Sequence, residues 1–166
     1  MATEALKSTI ITNADAHVAN DKRIDGGIIK VCVATFEVGA FDALSTYRVC
    51  RLPANCRLTF LGYSCDAMTG GPLDIGVYQT TYNGGAVVDL DVLATDVVVT
   101  SAINTTELNH LWDVLDVAKI QMPLWQLIGV ATEPIRGWEY DIVVTTSTAV
   151  TVGGTLSVKV LYVDGN

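Results

Sequence analysis

Ile29-Lys30-Val31-Cys32-Val33-Ala34-Thr35-Phe36-Glu37-Val38 is the stretch on which the fold turns. It is rich in β-branched residues, holds neither glycine nor proline, and alternates around Val31, Val33, Thr35 and Glu37, so it predicts a strand. Working outward, Gly39 and Asp42 begin a loop, and Tyr47-Arg48-Val49-Cys50-Arg51-Leu52 alternates again. Pro53-Ala54-Asn55 makes a short turn, and Arg57 to Tyr63 follows as the expected hairpin mate of the strand before it. Thr69-Gly70-Gly71-Pro72 breaks the pattern. Leu73 to Thr80 restores it, and Asn83-Gly84-Gly85 closes it with turn chemistry. A short β run is expected at Val97 to Thr100, and a C-terminal pair at Trp138 to Thr146 and Gly154 to Val163.

About seven or eight strands punctuated by Gly, Pro and Asn turns predict a mainly β fold, an antiparallel β-sandwich of jelly-roll-like kind. The alternation nominates Val31, Val33, Val49, Leu58, Phe60, Ile75, Val77, Ile142, Val144, Val158, Val160 and Tyr162 as core, because such faces need a facing sheet. One region breaks the rhythm. Asn104 and Glu107 are spaced as a capping box, and Leu108, Leu111, Trp112, Leu115 and Ala118 fall at helical spacing. Pro123 opens a second helical stretch that Gly129 stops. One or two short helices are therefore expected around 105–129. Residues 1–27 lack periodicity and end in Asp25-Gly26-Gly27. They read as an extended N-terminal arm whose apolar anchors are Ile10, Ile11 and Val18, followed by a single β-sandwich domain over 28–166.

Half of the 166 residues are apolar, only 17% are charged, and the mean hydropathy is +0.39. One domain of this size has room for a sizeable core, and a composition this apolar implies either an unusually efficient core or apolar surface that meets a partner. No apolar run approaches the roughly 18–20 residues that span a bilayer, so no membrane is expected. The N-terminus carries no charged-then-apolar signal design. The net charge of −8 repels phosphates, and the basic residues are dispersed, so nucleic acid is not an expected partner.

The search for chemistry finds little. His17 lies in the arm and His110 reads as a solvated surface residue, and no Gly-x-Ser-x-Gly elbow occurs. Asp89, Asp91, Asp74 and Asp96 form the densest carboxylate group. They lack the D-x-[DN]-x-[DN]-G pattern and read as a solvated acidic edge. Cys32, Cys50, Cys56 and Cys65 show no close pairing and read as buried free thiols, ahead of a zinc site or a disulfide. Trp112, Trp125 and Trp138 have the chemistry to stack on sugars, yet two of the three sit on helical core spacing. No catalytic residue, cofactor or metal site is expected.

The order GGIIKVCVATFEV … STYRVCRLPANCRLTFL … DAMTGGPLDIGVYQTTYNGGAVVD (Gly26 to Asp89) resembles a group of small structural proteins of tailed bacteriophages. LWQLIGV and GWEYDIVVTTSTAVTVGGTLSVKVLYV extend the resemblance almost to the C-terminus. Its most specific elements are the RLP-x-N-x-R turn at Arg51 to Arg57 and TGG…DIG-x-Y at Thr69 to Tyr78. The resemblance implies a non-enzymatic capsid cement (decoration) protein. It would bind the major capsid protein on the exterior of the virion, form a homodimer or homotrimer, and be assembled in the host cytoplasm. Alternatives are a tail, fibre or head–tail connector component and a carbohydrate-binding module.

Overall fold

In the computed structural model, which describes residues 7–19, 27–103, 115–116 and 118–164, the β-branched runs become strands and the glycine-rich breaks become their turns. One sheet has three strands in the order β1-β9-β3, with β1 at Ile29–Val38, β3 at Arg57–Cys65 and β9 at Gly154–Val163. The other has four in the order β2-β7-β5-β6, with β2 at Thr46–Pro53, β5 at Leu73–Gln79, β6 at Val87–Val97 and β7 at Glu139–Thr146. A ribbon of β4 (Thr69–Gly70) and β8 (Val150–Val152) completes the described strands, and every ladder among them is antiparallel. Beyond β3, a single bridge joins Cys65 to Ile103.

The inner faces meet in one core. Leu52, Ile75, Val77, Ile142 and Val144 from the four-stranded sheet pack with Leu58, Leu61, Val158 and Val160 from the three-stranded one. Each such side chain, fully buried, contributes about 1.5–3 kcal/mol. The antiparallel sandwich expected from the alternation is what forms. Of the nominated core, Leu58, Ile75, Val77, Ile142, Val144, Val158, Val160 and Tyr162 are buried.

The other four positions correct the sequence reading. Val31 and Val33 are 59% and 64% exposed, because β1 turns its opposite face inward. Cys32, Ala34 and Phe36 lie across from Val160, Val158 and Leu156, and cross-strand partners share a face. The choice follows from how each alternating set continues. Val31 and Val33 lead on to Thr35 and Glu37, whose polar groups favour water, whereas Cys32 and Ala34 lead on to Phe36 and Val38. Phe60 is only half-buried because the register slips between Leu58 and Phe60, which sends Phe60 to the outer face. A similar irregularity between Arg48 and Cys50 leaves Val49 half-buried, though still packed against the core.

The expected hairpin of β2 and β3 does not form. The Pro53-Ala54-Asn55 turn carries the chain from one sheet to the other, so β2 pairs with β7 and β3 with β9. Of the β run expected at Val97 to Thr100, only Val97 is strand, as the last residue of the longer β6; residues 98–100 lie beyond it.

In the inserted region, α2 (Leu124–Leu127) starts after Pro123 and is followed by Gly129 at φ +75°, as the sequence suggested. Its first N–H groups, which have no partner within the helix, reach the inter-sheet turn. Leu124 donates to the Cys56 carbonyl at 2.8 Å and Trp125 to that of Ala54 at 2.9 Å. Leu115 is half-buried against the core. Asn104, Glu107, Leu108, His110, Leu111 and Trp112 lie outside the described residues. In the arm, the expected extended chain is replaced by α1 (Thr9–Asp15). The Ser8 hydroxyl caps it by accepting from the Ile11 N–H, and it buries none of its own residues.

Candidate assembly surface

The strands leave two outer faces, and their chemistry differs. On the four-stranded sheet, Asp74, Gly76 and Tyr78 of β5 lie opposite Thr145, Val143 and Asp141 of β7. Asp141 is 3% exposed and is held from β2: Arg48 Nη1 donates to it at 2.7 Å and Arg51 Nε at 2.8 Å. Burial alone raises the Asp141 carboxyl, but the hydrogen bonds and charges of Arg51 and Arg48 outweigh it and hold the group below the usual carboxylate range. Arg48 also donates to the Gln79 and Gly85 carbonyls at 3.0 and 3.2 Å, and its guanidinium lies 5.8 Å from the centre of the Tyr78 ring. Further along, the Tyr78 and Thr145 hydroxyls bond at 2.7 Å, and Asp74 accepts from the Asp96 N–H at 2.9 Å and the Ser147 hydroxyl at 2.6 Å.

β6 closes over this face. It runs five residues, from Ala94 back to Asp89, where β5 runs only two, from Ile75 to Val77, so the surplus chain folds across Gly76. A methyl group at Gly76 would overlap the Leu90 and Asp89 carbonyls, so only glycine fits there. Its cross-strand partner Val143 shares that face and is fully buried. This outer face satisfies itself.

The three-stranded sheet is the opposite case. Its outer face presents Ile29, Val31 and Val33 of β1, each at least 59% exposed, beside half-buried Leu161 of β9 and Phe60 of β3. The Lys159 ammonium lies 5.9 Å from the centre of the Phe60 ring. Toward the other end the face turns polar: the Thr35 and Ser157 hydroxyls bond at 2.8 Å, and the Thr155 hydroxyl donates to Glu37 at 3.1 Å. An apolar cluster rimmed by polar groups marks an interaction surface. Sequence reading missed it because it assigned Val31, Val33 and Phe60 to the core.

The remaining candidates resolve into structure. Of the arm anchors, Ile10 is half-buried and Ile11 exposed on α1, while exposed Val18 follows the helix. Asp91 and Asp96 line the exposed edge strand β6, whereas Asp74 is buried rather than solvated. Among the described residues, no three His, Cys, Asp or Glu groups converge to hold a metal ion. All four thiols are free. Burial pushes Cys56 up to about 12, and burial, with the neighbouring Cys32 thiol, raises Cys50 as well, so both favour the protonated thiol at neutral pH. Trp125 packs against the core, and Trp138 borders an open cleft of about 600 Å³ shared with Asn55, Glu133 and Arg136. No described helix is long and apolar enough to cross a membrane.

No protein-family model matches the chain, and no curated protein sequence matches it. Among solved structures, it is similar to a chain in the capsid of Ralstonia phage GP4, with a TM-score of 0.53 and 15% identity over 84% of this chain and 86% of that one. Fainter likenesses are to a chain of the cyanophage Pam1 capsid asymmetric unit (TM-score 0.46, 14% identity, 82% and 85% covered) and to one of the acid-stable capsid of Helicobacter pylori bacteriophage KHP30 (0.42, 11%, 84% and 90%). At such identities the GP4 likeness is one of fold.

Proposed function

We propose that the chain is a non-enzymatic structural protein of a bacteriophage particle: a cement protein that binds the major capsid protein on the outside of the head and braces the shell. The observation that carries this reading is the apolar outer face of Ile29, Val31, Val33, Leu161 and Phe60 on a sandwich whose other outer face is already closed. A domain with a complete core gains nothing in folding from that face, and keeping it in water costs solubility. A net charge of −8 directs such a face toward protein and away from phosphate.

The fold supports the same reading. Each sheet interleaves early and late strands, β1-β9-β3 and β2-β7-β5-β6, which is the winding of a jelly roll. The Cys65–Ile103 bridge stands where an eighth strand would extend the three-stranded sheet beside β3. The likeness to a GP4 capsid chain is consistent with a place in a virion. Cement proteins work as dimers or trimers across the junctions of the lattice, and a homo-oligomer is the form we infer here.

A reconstruction of assembled particles tests the reading. Density for this sandwich on the outer shell, in numbers proportional to the lattice, is the expected result. A handful of copies at one vertex would make it a tail or connector component instead, and its absence from particles would refute a virion role.

A further inference from the structure

The edge strands of the two sheets are β1, β3, β2 and β6, and they are guarded unequally. β2 is interrupted between Arg48 and Cys50, carries Arg48 and Arg51, and ends in Pro53. β6 slips against β5 at three points and bears Asp89, Asp91 and Asp96. β3 is bridged on its far side, from Cys65 to Ile103. Irregularities, charges and cover of this kind are how a sheet blocks stray pairing. Among the described residues, β1 has none of them. Its ten residues pair with β9 in unbroken register and include neither glycine nor proline. Its two charges lean back onto its own sheet: Lys30 Nζ lies 2.7 Å from an Asp164 carboxylate oxygen, and Glu37 accepts from the Thr155 hydroxyl. Every second residue of an antiparallel edge strand turns its N–H and C=O away from its neighbour, so β1 offers a row of donors and acceptors. The core side of β1 records the same gap. Cys32, Ala34 and Phe36 are half-buried, whereas Val160, Val158 and Leu156 across from them are at most 1% exposed.

We propose that β1 pairs antiparallel with β1 of a second copy, joining the two three-stranded sheets into one continuous sheet about a twofold axis. This deepens the homo-oligomer of the proposed function by naming the surface that forms it. The two apolar outer faces then lie side by side and remain open toward the shell. Charge favours a second copy as the occupant. Chains of net charge −8 repel one another, and the β1 edge lets two of them meet where Lys30 is already neutralised by Asp164. Pairing through β6 would instead bring aspartates toward aspartates. Symmetry favours it too, since each strand gives the bonds it receives and the pairing closes at two copies. A ladder centred on Cys32 aligns Ile29 to Thr35 of the two copies, sets Val31 of each opposite Val33 of the other, and leaves Glu37 beyond its end. Centring on Val33 would press Glu37 against Ile29, and a one-residue slip would set outer residues against inner ones.

Sedimentation of the full-length protein over a range of concentrations, with hydrogen exchange at both ends of that range, tests the proposal with no shell present. Its failure would therefore leave the particle reconstruction as a separate test of the cement role. The wild-type chain is expected to self-associate, and amides within Ile29 to Thr35 should gain protection on association while those of β2 and β6 do not change. Val31→Lys with Val33→Lys opposes like charges across the new ladder and should raise the dissociation constant about tenfold or more. Both positions face solvent, so circular dichroism should show the variant folded. If it fails to fold, the exchange measurement on the wild-type chain decides alone. A wild-type monomer at all concentrations, association without new protection in β1, or a folded lysine variant that associates like wild type would each overturn the proposal. Protection of β1 that arises only when shells are added would give this edge to the shell protein, and would overturn the second copy as its occupant.

Discussion

The two outer faces of this sandwich are built from neighbouring strands of similar composition and end in opposite states. On the four-stranded sheet, every buried polar group named above meets a partner within the chain: Asp141 between Arg48 and Arg51, Asp74 between Asp96 and Ser147, Tyr78 on Thr145. The surplus of β6 covers what the network leaves open. On the three-stranded sheet, the outward residues Ile29, Val31 and Val33 of β1 are apolar and nothing described in the chain covers them. One face is finished by folding, and the other is the one we propose is covered in assembly. Substitutions should therefore act on stability at the first and on association at the second.

The largest stability effect is expected at Asp141. Replacing it with alanine leaves Arg48 and Arg51 without their carboxylate in a partly buried site, at a cost of about 2–4 kcal/mol, measured by denaturant titration. Its pH dependence has a definite sign. The folded-state pKa is lowered, so the contribution is complete above the unfolded value of about 3.9 and is lost as pH falls through the folded one. Asp141→Asn should flatten the acid limb of the stability curve; an unchanged limb would place the acid sensitivity elsewhere.

Gly76→Ala comes next, at about 1–3 kcal/mol, since the added methyl must push the Leu90 and Asp89 backbone off β5. Loss of protection from hydrogen exchange in β6 should accompany it. The smallest effect is expected on the other sheet, where Val31→Thr with Val33→Thr should change stability by less than about 0.5 kcal/mol per site. A larger loss would mean that β1 buries these residues after all and that the contrast between the faces is false.

The strands on both sides of this contrast were legible in the sequence, but the contrast itself was not. β5 and β7 were readable because Ile75 and Val77, and Ile142 and Val144, alternate along them and all four are buried. Pro123 and Gly129 marked α2 correctly because their backbone preferences act locally. β1 was misread because both its faces are apolar over Val31 to Ala34, and only Thr35 and Glu37 at its far end mark the side that meets water. The slips beside Thr59 and Val49 reverse parity by a single residue, and no local composition marks them. The Arg48–Asp141–Arg51 network joins positions some ninety residues apart in the chain. Its one sequence signal was charge set within otherwise apolar strands. Ile10, Ile11 and Val18 stood out as apolar residues in a polar arm, but the open face of the three-stranded sheet was hidden by its assignment to the core.

The open face is tested most directly by hydroxyl-radical footprinting at protein concentrations below and above self-association. The expected result is that Val31 and Val33 lose labelling on association, while Tyr82 and Val98, exposed beside the strands of the other sheet, keep theirs. Equal labelling of Val31 and Val33 in the two states, with protection at Tyr82 or Val98, would contradict the account.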